Sequence, residues 1–142
     1  MFEKILLPVD LQATSLSARA VSIATDIAAH HGSEITVITV FPDFGMPLVA
    51  SYFPADAMKK AEKQVCDELK RYIATNFEQP DKIKSHVTSG SPHKSVVKYA
   101  KEHATDLIIL PARAKDISKV FLGSCSTHVV ERAPCTVMVV RP

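Results

Sequence analysis

The chain has 142 residues and a net charge of +2 with its histidines neutral. A length of roughly 100 to 150 residues is that of one ordinary domain, so we expect residues 1–142 to form a single domain. Apolar residues make up 46% and charged residues 23%, the balance of a folded globule rather than a disordered chain. The basic residues are scattered, which argues against nucleic acid or an anionic membrane surface as a partner.

Glycine and cysteine usage excludes several kinds of site. The four glycines are too far apart for the dinucleotide fingerprint, the P-loop or the nucleophile elbow. The three cysteines lack C-x-x-C spacing, which argues against a disulfide framework or a zinc cluster. The six histidines lack the spacing of a helical metal pair, so we expect no metal site formed by the protein alone. With neither a signal-peptide pattern nor a membrane-span pattern, the cytoplasm is the expected compartment.

The first half of the chain predicts two strands and two helices. The apolar run over 5–9 lacks polar alternation, which is typical of a strand buried on both faces. Thr14 or Ser15 can cap a helix over about 15–31, and Gly32 is placed to end it. The remaining features are a β-branched strand over 35–40, a proline-rich excursion over 41–54 and a long amphipathic helix over about 55–77.

The second half predicts an edge strand followed by alternating helices and strands. Residues 83–88 alternate apolar and polar side chains, which favours a half-exposed strand. Ser91 and Pro92 supply an N-cap and a first helical residue for a helix to about His103. The last elements are a buried strand over 106–110, a helix over 124–132 and a strand over 135–140. The whole pattern predicts an α/β fold with a mainly parallel sheet and helices on both faces.

Ligands of such sheets bind outside the carboxyl ends of the strands, where the winding reverses. The residues at those ends are Asp10, Val40 and Pro111 onward. The helix that begins near Gly123 and Ser124 would present amide N–H groups to an anion. The alternative, that Ser124 only caps its helix and the preceding basic residues are solvated, is about equally supported.

Five segments in this order resemble the universal stress protein family across essentially the whole chain: 5–10, 37–40, 90–92, 122–124 and 133–141. The resemblance implies a five-stranded parallel sheet in the order 3-2-1-4-5, binding of ATP and a homodimer. In that strand order the apolar fifth strand, Val137, Met138, Val139 and Val140, is an exposed edge that a second copy would cover.

The loop after strand four departs from the family's G-x2-G-x9-G-[ST] pattern. The first two glycine positions fall on Pro111 and Ala114, and the spacing before Gly123 is one residue short. Proline has no N–H to donate and alanine tolerates a positive φ poorly, so the nucleotide cradle must differ from the usual one or be lost. The chain is similar to a family branch with a shortened, glycine-poor loop, whose members can still bind ATP.

The resemblance assigns roles to named positions. Asp10, Val9 and the backbone of Val40 would contact adenine and ribose, and Ser124, Cys125 and Ser126 would contact the phosphates. The rest of the expected binding set is Pro8, Leu110, Pro111, Arg113 and Gly123. Any Mg²⁺ would arrive with the phosphates. The alternatives are that Asp10 only caps the turn after its strand and that Cys125 is merely a small residue that starts a helix.

These features favour a nucleotide-responsive regulatory protein with at most slow ATP hydrolysis, because the loop offers no evident water-orienting group. The alternative is a universal-stress-type interaction module that binds no nucleotide. The sequence names no protein partner for either.

Overall fold

The computed structural model describes residues 1–41, 55–112 and 124–141. Its elements are β1 (Lys4–Pro8), a 3-10 turn (Thr14–Ser17), α1 (Ala18–His31), β2 (Glu34–Phe41), α2 (Ala55–Asn76), a 3-10 turn (Pro80–Lys82), β3 (Ile83–Ser89), α3 (Pro92–Glu102), β4 (Leu107–Pro111), α4 (Ser124–Arg132) and β5 (Thr136–Val140). The alternation expected from the sequence is confirmed. The body of the 41–54 excursion lies outside the described residues.

The five strands form one parallel sheet in the order β3-β2-β1-β4-β5. This order confirms both the α/β fold class and the edge position of β3. β1 is central, with Ile5 in register with Ile35 of β2 on one side and with Leu107 of β4 on the other. The connections from β1 and from β4 therefore leave their strands toward different edges of the sheet.

Two apolar layers cover the faces of this sheet. Ile5 and Leu7 of β1 pack with α1 and α2, whereas Leu6 packs with α3 and α4. All three side chains are buried, as expected for a central strand that is covered on both faces. Burial on both faces explains why β1, β2 and β4 are continuous apolar or β-branched runs.

The start of the first helix differs from the sequence expectation. A 3-10 turn precedes α1, and its N-cap is Ala13 with no side-chain capping bond, so the predicted cap at Thr14 or Ser15 is wrong. Backbone bonds form this turn instead, with the Leu16 N–H donating to the Ala13 carbonyl. Gly32 does end α1, with the left-handed φ of 68° that favours glycine.

Asp106 joins the start of β4 to the start of β1. Its Oδ2 accepts the backbone N–H groups of Glu3 and Lys4, at 3.0 and 2.9 Å, and its own N–H donates to the Lys4 carbonyl at 3.0 Å. The carboxylate thus supplies an acceptor for two backbone amides at the start of β1.

We expect Asp106→Ala to lower the free energy of unfolding by about 1 to 2 kcal/mol, because two amides lose a charged acceptor. Asp26→Ala is the control, since that exposed carboxylate only approaches His30, at 3.6 Å, and should contribute about 0.5 kcal/mol or less. Urea unfolding measures both. Equal effects of the two substitutions would contradict the role given to Asp106.

Candidate functional site

The carboxyl end of β1 is held by hydrogen bonds to β2. The N–H of buried Val9 donates to the Ile38 carbonyl at 2.8 Å, and the Oγ1 of buried Thr39 donates to the Val9 carbonyl at 2.9 Å. Asp10 follows, half-buried, and its Oδ1 accepts the Gln12 N–H at 2.9 Å. The backbone on which Asp10 stands is therefore fixed before the chain turns into the first helix.

The strand register brings the expected binding residues of β1, β2 and β4 to one edge of the sheet. Pro8 pairs with Ile38, so Val40 lies just beyond it along β2. Leu110 and Pro111 end β4, which is the other neighbour of β1. Because β1 and β4 lead to helices on opposite faces, this edge contains the switch point at which ligands of open α/β sheets bind.

The start of α4 supplies the candidate anion-binding groups. The helix begins at Ser124, where Ser124 and Cys125 are exposed, while Ser126 is only 6% exposed. The first amides of a helix point out of its end and attract anions, so the backbone of this turn suits phosphate whether or not the Ser126 hydroxyl is reachable. Arg113 and Gly123 lie outside the described residues.

Pro111, at the first position where the family pattern has glycine, is part of the sheet in this chain. Pro111 is the last residue of β4 and is in register with Val140 of β5. The next residue, Ala112, is buried and donates its N–H to the Val140 carbonyl at 2.9 Å. The backbone here belongs to the sheet. Amide contacts to a nucleotide must come from later in the chain, and Ala114 lies outside the described residues.

The structure also brings together two histidines that the sequence analysis left dispersed. The rings of His93, near the start of α3, and His128, in α4, are stacked with their centroids 4.4 Å apart and 22° between their planes. The Nδ1 of His128 lies 2.6 Å from the carbonyl oxygen of Ser124, the first residue of α4. The pair therefore lies beside the first turn of the candidate anion site. Residues 94–127 lie between the two in sequence, so no spacing rule could find them.

A cavity of about 460 Å³ lies at the other end of the sheet, among Ala28, Gly32, Phe77 and Ile83. Its lining is largely small or apolar, and it contains neither Asp10 nor Ser124. The expected binding residues that the structure describes therefore lie at the carboxyl edge and not in this cavity.

Within residues 1–41, 55–112 and 124–141 there is no group of three His, Cys, Asp or Glu side chains that could hold a metal ion. No helix in the same ranges is long and apolar enough to cross a membrane.

The geometry defines a doubly wound α/β protein with a candidate anion site at the switch point between β1 and β4. Comparison with known proteins gives the family: the model of the universal stress protein family matches residues 1–141, and the chain belongs to this family.

Relatives agree with that assignment. Universal stress protein G of Shigella flexneri is 31% identical over 99% of this chain and 100% of its own length. The solved universal stress protein UspA of Lactobacillus plantarum is 28% identical, with a TM-score of 0.70 over 99% of this chain and 98% of its own. A universal stress protein crystallised in complex with cAMP is 22% identical and shares the fold, with a TM-score of 0.60 over 99% of this chain and 97% of its own.

Thr39 is a residue that the sequence analysis missed, and its hydroxyl can be tested. We expect Thr39→Val to lower the free energy of unfolding by about 1 to 3 kcal/mol, because the buried Val9 carbonyl loses its donor. Thr25→Val is the matched control, since its hydroxyl donates at 2.8 Å to the carbonyl of Val21 within α1, and its loss should change stability by about 0.5 kcal/mol or less. Chemical denaturation of both variants measures the difference, and equal effects would argue against the role of Thr39.

Proposed function

We propose that this chain binds ATP or a related adenine nucleotide at the carboxyl edge of its sheet and acts as a nucleotide-responsive regulatory protein. One observation carries the proposal: the fixed end of β1 at Asp10 lies at the β1–β4 switch point, the edge from which α4 starts. Membership of the universal stress protein family supports it, as does the structural relative crystallised with cAMP, an adenine nucleotide.

The residues present suit such a ligand. In the proposal Asp10, Val9 and the backbone of Val40 hold adenine and ribose, since a carboxylate accepts hydrogen bonds from ribose hydroxyls. Backbone amides of Ser124, Cys125 and Ser126 donate to the phosphates, and the positive end of the α4 dipole adds to that attraction. Pro8, Leu110 and Pro111 border the site, Arg113 and Gly123 complete it, and Mg²⁺ enters with the phosphates.

The proposal extends to assembly and compartment. Residues 1–142 act as one domain in the cytoplasm, and two copies join through β5. Among the described strands, β5 has β4 as its only neighbour, and its residues Val137, Met138 and Val139 are half-buried on the single chain. An apolar edge strand that carries neither lysine nor proline is open to pairing with a second copy.

Nucleotide binding can be tested at a single amide. ATP at about one hundred times its Kd should stabilise the protein by about 2.7 kcal/mol, which for a chain of 142 residues raises Tm by roughly 5 to 10 °C. We expect Ser124→Pro to weaken ATP binding more than tenfold, because one amide donor to a charged group contributes about 1.5 to 3 kcal/mol. Proline is tolerated at the first position of a helix, so the fold should survive.

Ser124→Ala is the matched control for this experiment. It removes the hydroxyl and keeps the amide, so it should retain most of the ATP-induced shift in Tm. Equal loss in both variants would assign binding to the hydroxyl rather than to the start of the helix. A wild-type protein whose Tm does not move at millimolar ATP would refute the proposal and favour the interaction module that binds no nucleotide.

The β5 interface can be tested at one amide of the edge strand. The Val140 carbonyl accepts from Ala112, so Val140 directs its backbone groups toward β4 and Val139 directs its own toward the open edge. We expect the wild type to sediment as a dimer at tens of micromolar and Val139→Pro, which lacks the outward N–H, to sediment as a monomer. Val139→Thr keeps that N–H and should remain dimeric. A monomeric wild type would disprove the interface.

A further inference from the structure

The stacked rings of His93 and His128 lie beside the first turn of α4, and the side chains of Lys94 and Arg132 add positive charge that acts on His93. His93 stacks on His128 at 4.4 Å, and the charged groups that act on His93 are His128, Lys94 and Arg132. Lys94 follows His93 on α3, and Arg132 lies one turn after His128 on α4. No carboxylate is among the groups that act on His93 in the described part of the chain. The charges that act on His93 in these residues are therefore all positive.

The hydrogen bond of His128 determines which of its ring nitrogens carries a proton. A carbonyl oxygen can only accept, so Nδ1 of His128 carries the proton that it donates to Ser124. The Nδ1 of His93 lies 3.3 Å from the Ser91 hydroxyl, which can donate to it when the ring is neutral. A second proton on either ring must go to the remaining ring nitrogen and adds a positive charge to the stack.

We propose that the stacked pair of His93 and His128 couples anion binding at the start of α4 to proton uptake, so that a nucleotide binds more tightly as the pH falls. This inference rests on the proposed function and assigns a regulation to the same site. In the free protein, charge on His93 is opposed by His128, Lys94 and Arg132 and by the positive end of α3, in whose first turn it lies. A phosphate group at the first turn of α4 supplies negative charge there. By linkage, anion binding then favours proton uptake, and proton uptake favours anion binding.

The electrostatics agree with the geometry. Burial, followed by the charges of His128, Lys94 and Arg132, lowers the pKa of His93 below its ordinary value of 6.5. A base whose pKa is lowered by folding binds protons better in the unfolded chain. The contribution of His93 to the stability of the ligand-free protein should therefore fall as the pH drops below 6.5. A bound phosphate should raise the pKa of His93 and reduce that loss.

The test uses isothermal titration calorimetry of the full chain with cAMP and with ATP, from about pH 7.5 to about pH 5.5. The phosphodiester of cAMP keeps its charge over this range, whereas a terminal phosphate titrates near about pH 6, so cAMP isolates the protein's own protons. We expect the wild type to bind cAMP at least about fivefold more tightly at the lower pH. Runs in buffers of different ionisation enthalpy should show net proton uptake.

The variants are His93→Gln and His128→Asn. Asparagine can keep the bond to the carbonyl four residues back, as the Nδ2 of Asn76 does to Tyr72 at 2.8 Å, but it cannot gain a charge. Both variants should flatten the pH dependence. His30→Gln is the control, since the His30 Nδ1 makes the same kind of contact with the Asp26 carbonyl, at 2.8 Å and away from the site, and this variant should keep the wild-type slope.

Three outcomes separate the two proposals. Wild type and both variants with the same pH dependence would overturn the coupling and leave nucleotide binding intact. Absence of binding at every pH would overturn both. If a variant fails to fold, NMR titration of His93 in the wild type decides the matter, because the coupling requires nucleotide to raise the pKa of His93. Unmoved titration curves with nucleotide bound would refute it.

Discussion

The position of β1 between β2 and β4 is the constraint on which the rest of the structure depends. Its side chains Ile5 and Leu7 are buried in one apolar layer, and Leu6 is buried in the other. The helix after β1 packs in the first layer and the helix after β4 packs in the second. The chain leaves β1 toward α1 and leaves β4 toward α4, so the carboxyl ends of these neighbours form the switch point at which ligands of open α/β sheets bind. The same buried pairing that stabilises the fold therefore also determines where its switch point lies.

Most of this architecture could be predicted from sequence because its causes are local. Continuous apolar runs mark strands that are buried twice, and the alternating residues of Ile83–Ser89 mark an edge. Gly32 ends its helix because the left-handed backbone there favours glycine. The start of the first helix was missed because Thr14 and Ser15 fit the chemistry of a cap, whereas backbone hydrogen bonds form the 3-10 turn that begins after Ala13.

The finer parts of the site could not be predicted because they depend on tertiary contacts. Thr39 read only as a β-branched strand residue, yet its hydroxyl donates to the carbonyl that precedes Asp10. His93 and His128 belong to helices that follow different strands, and only the parallel sheet brings the starts of these helices to the same edge. A sequence pattern reports residues on one element, whereas these contacts join two. The loop over 113–123, which holds Arg113 and Gly123, lies outside the described residues, so its part in the site stays a prediction.

Proline in place of the first expected glycine has a consequence for how an anion would be held. Pro111 completes β4 and the Ala112 amide donates to Val140, so these positions extend the sheet instead of wrapping a ligand. In the proposed site, the amides at the start of α4 would then contact the anion. Buried Val129 holds α4 in the layer shared with Val96 and Leu110. Its first turn is further constrained by the ring of His128 against the Ser124 carbonyl. An anion site at the start of one helix would depend on the charges beside that helix, and here the stacked rings of His93 and His128 lie next to the first turn of α4.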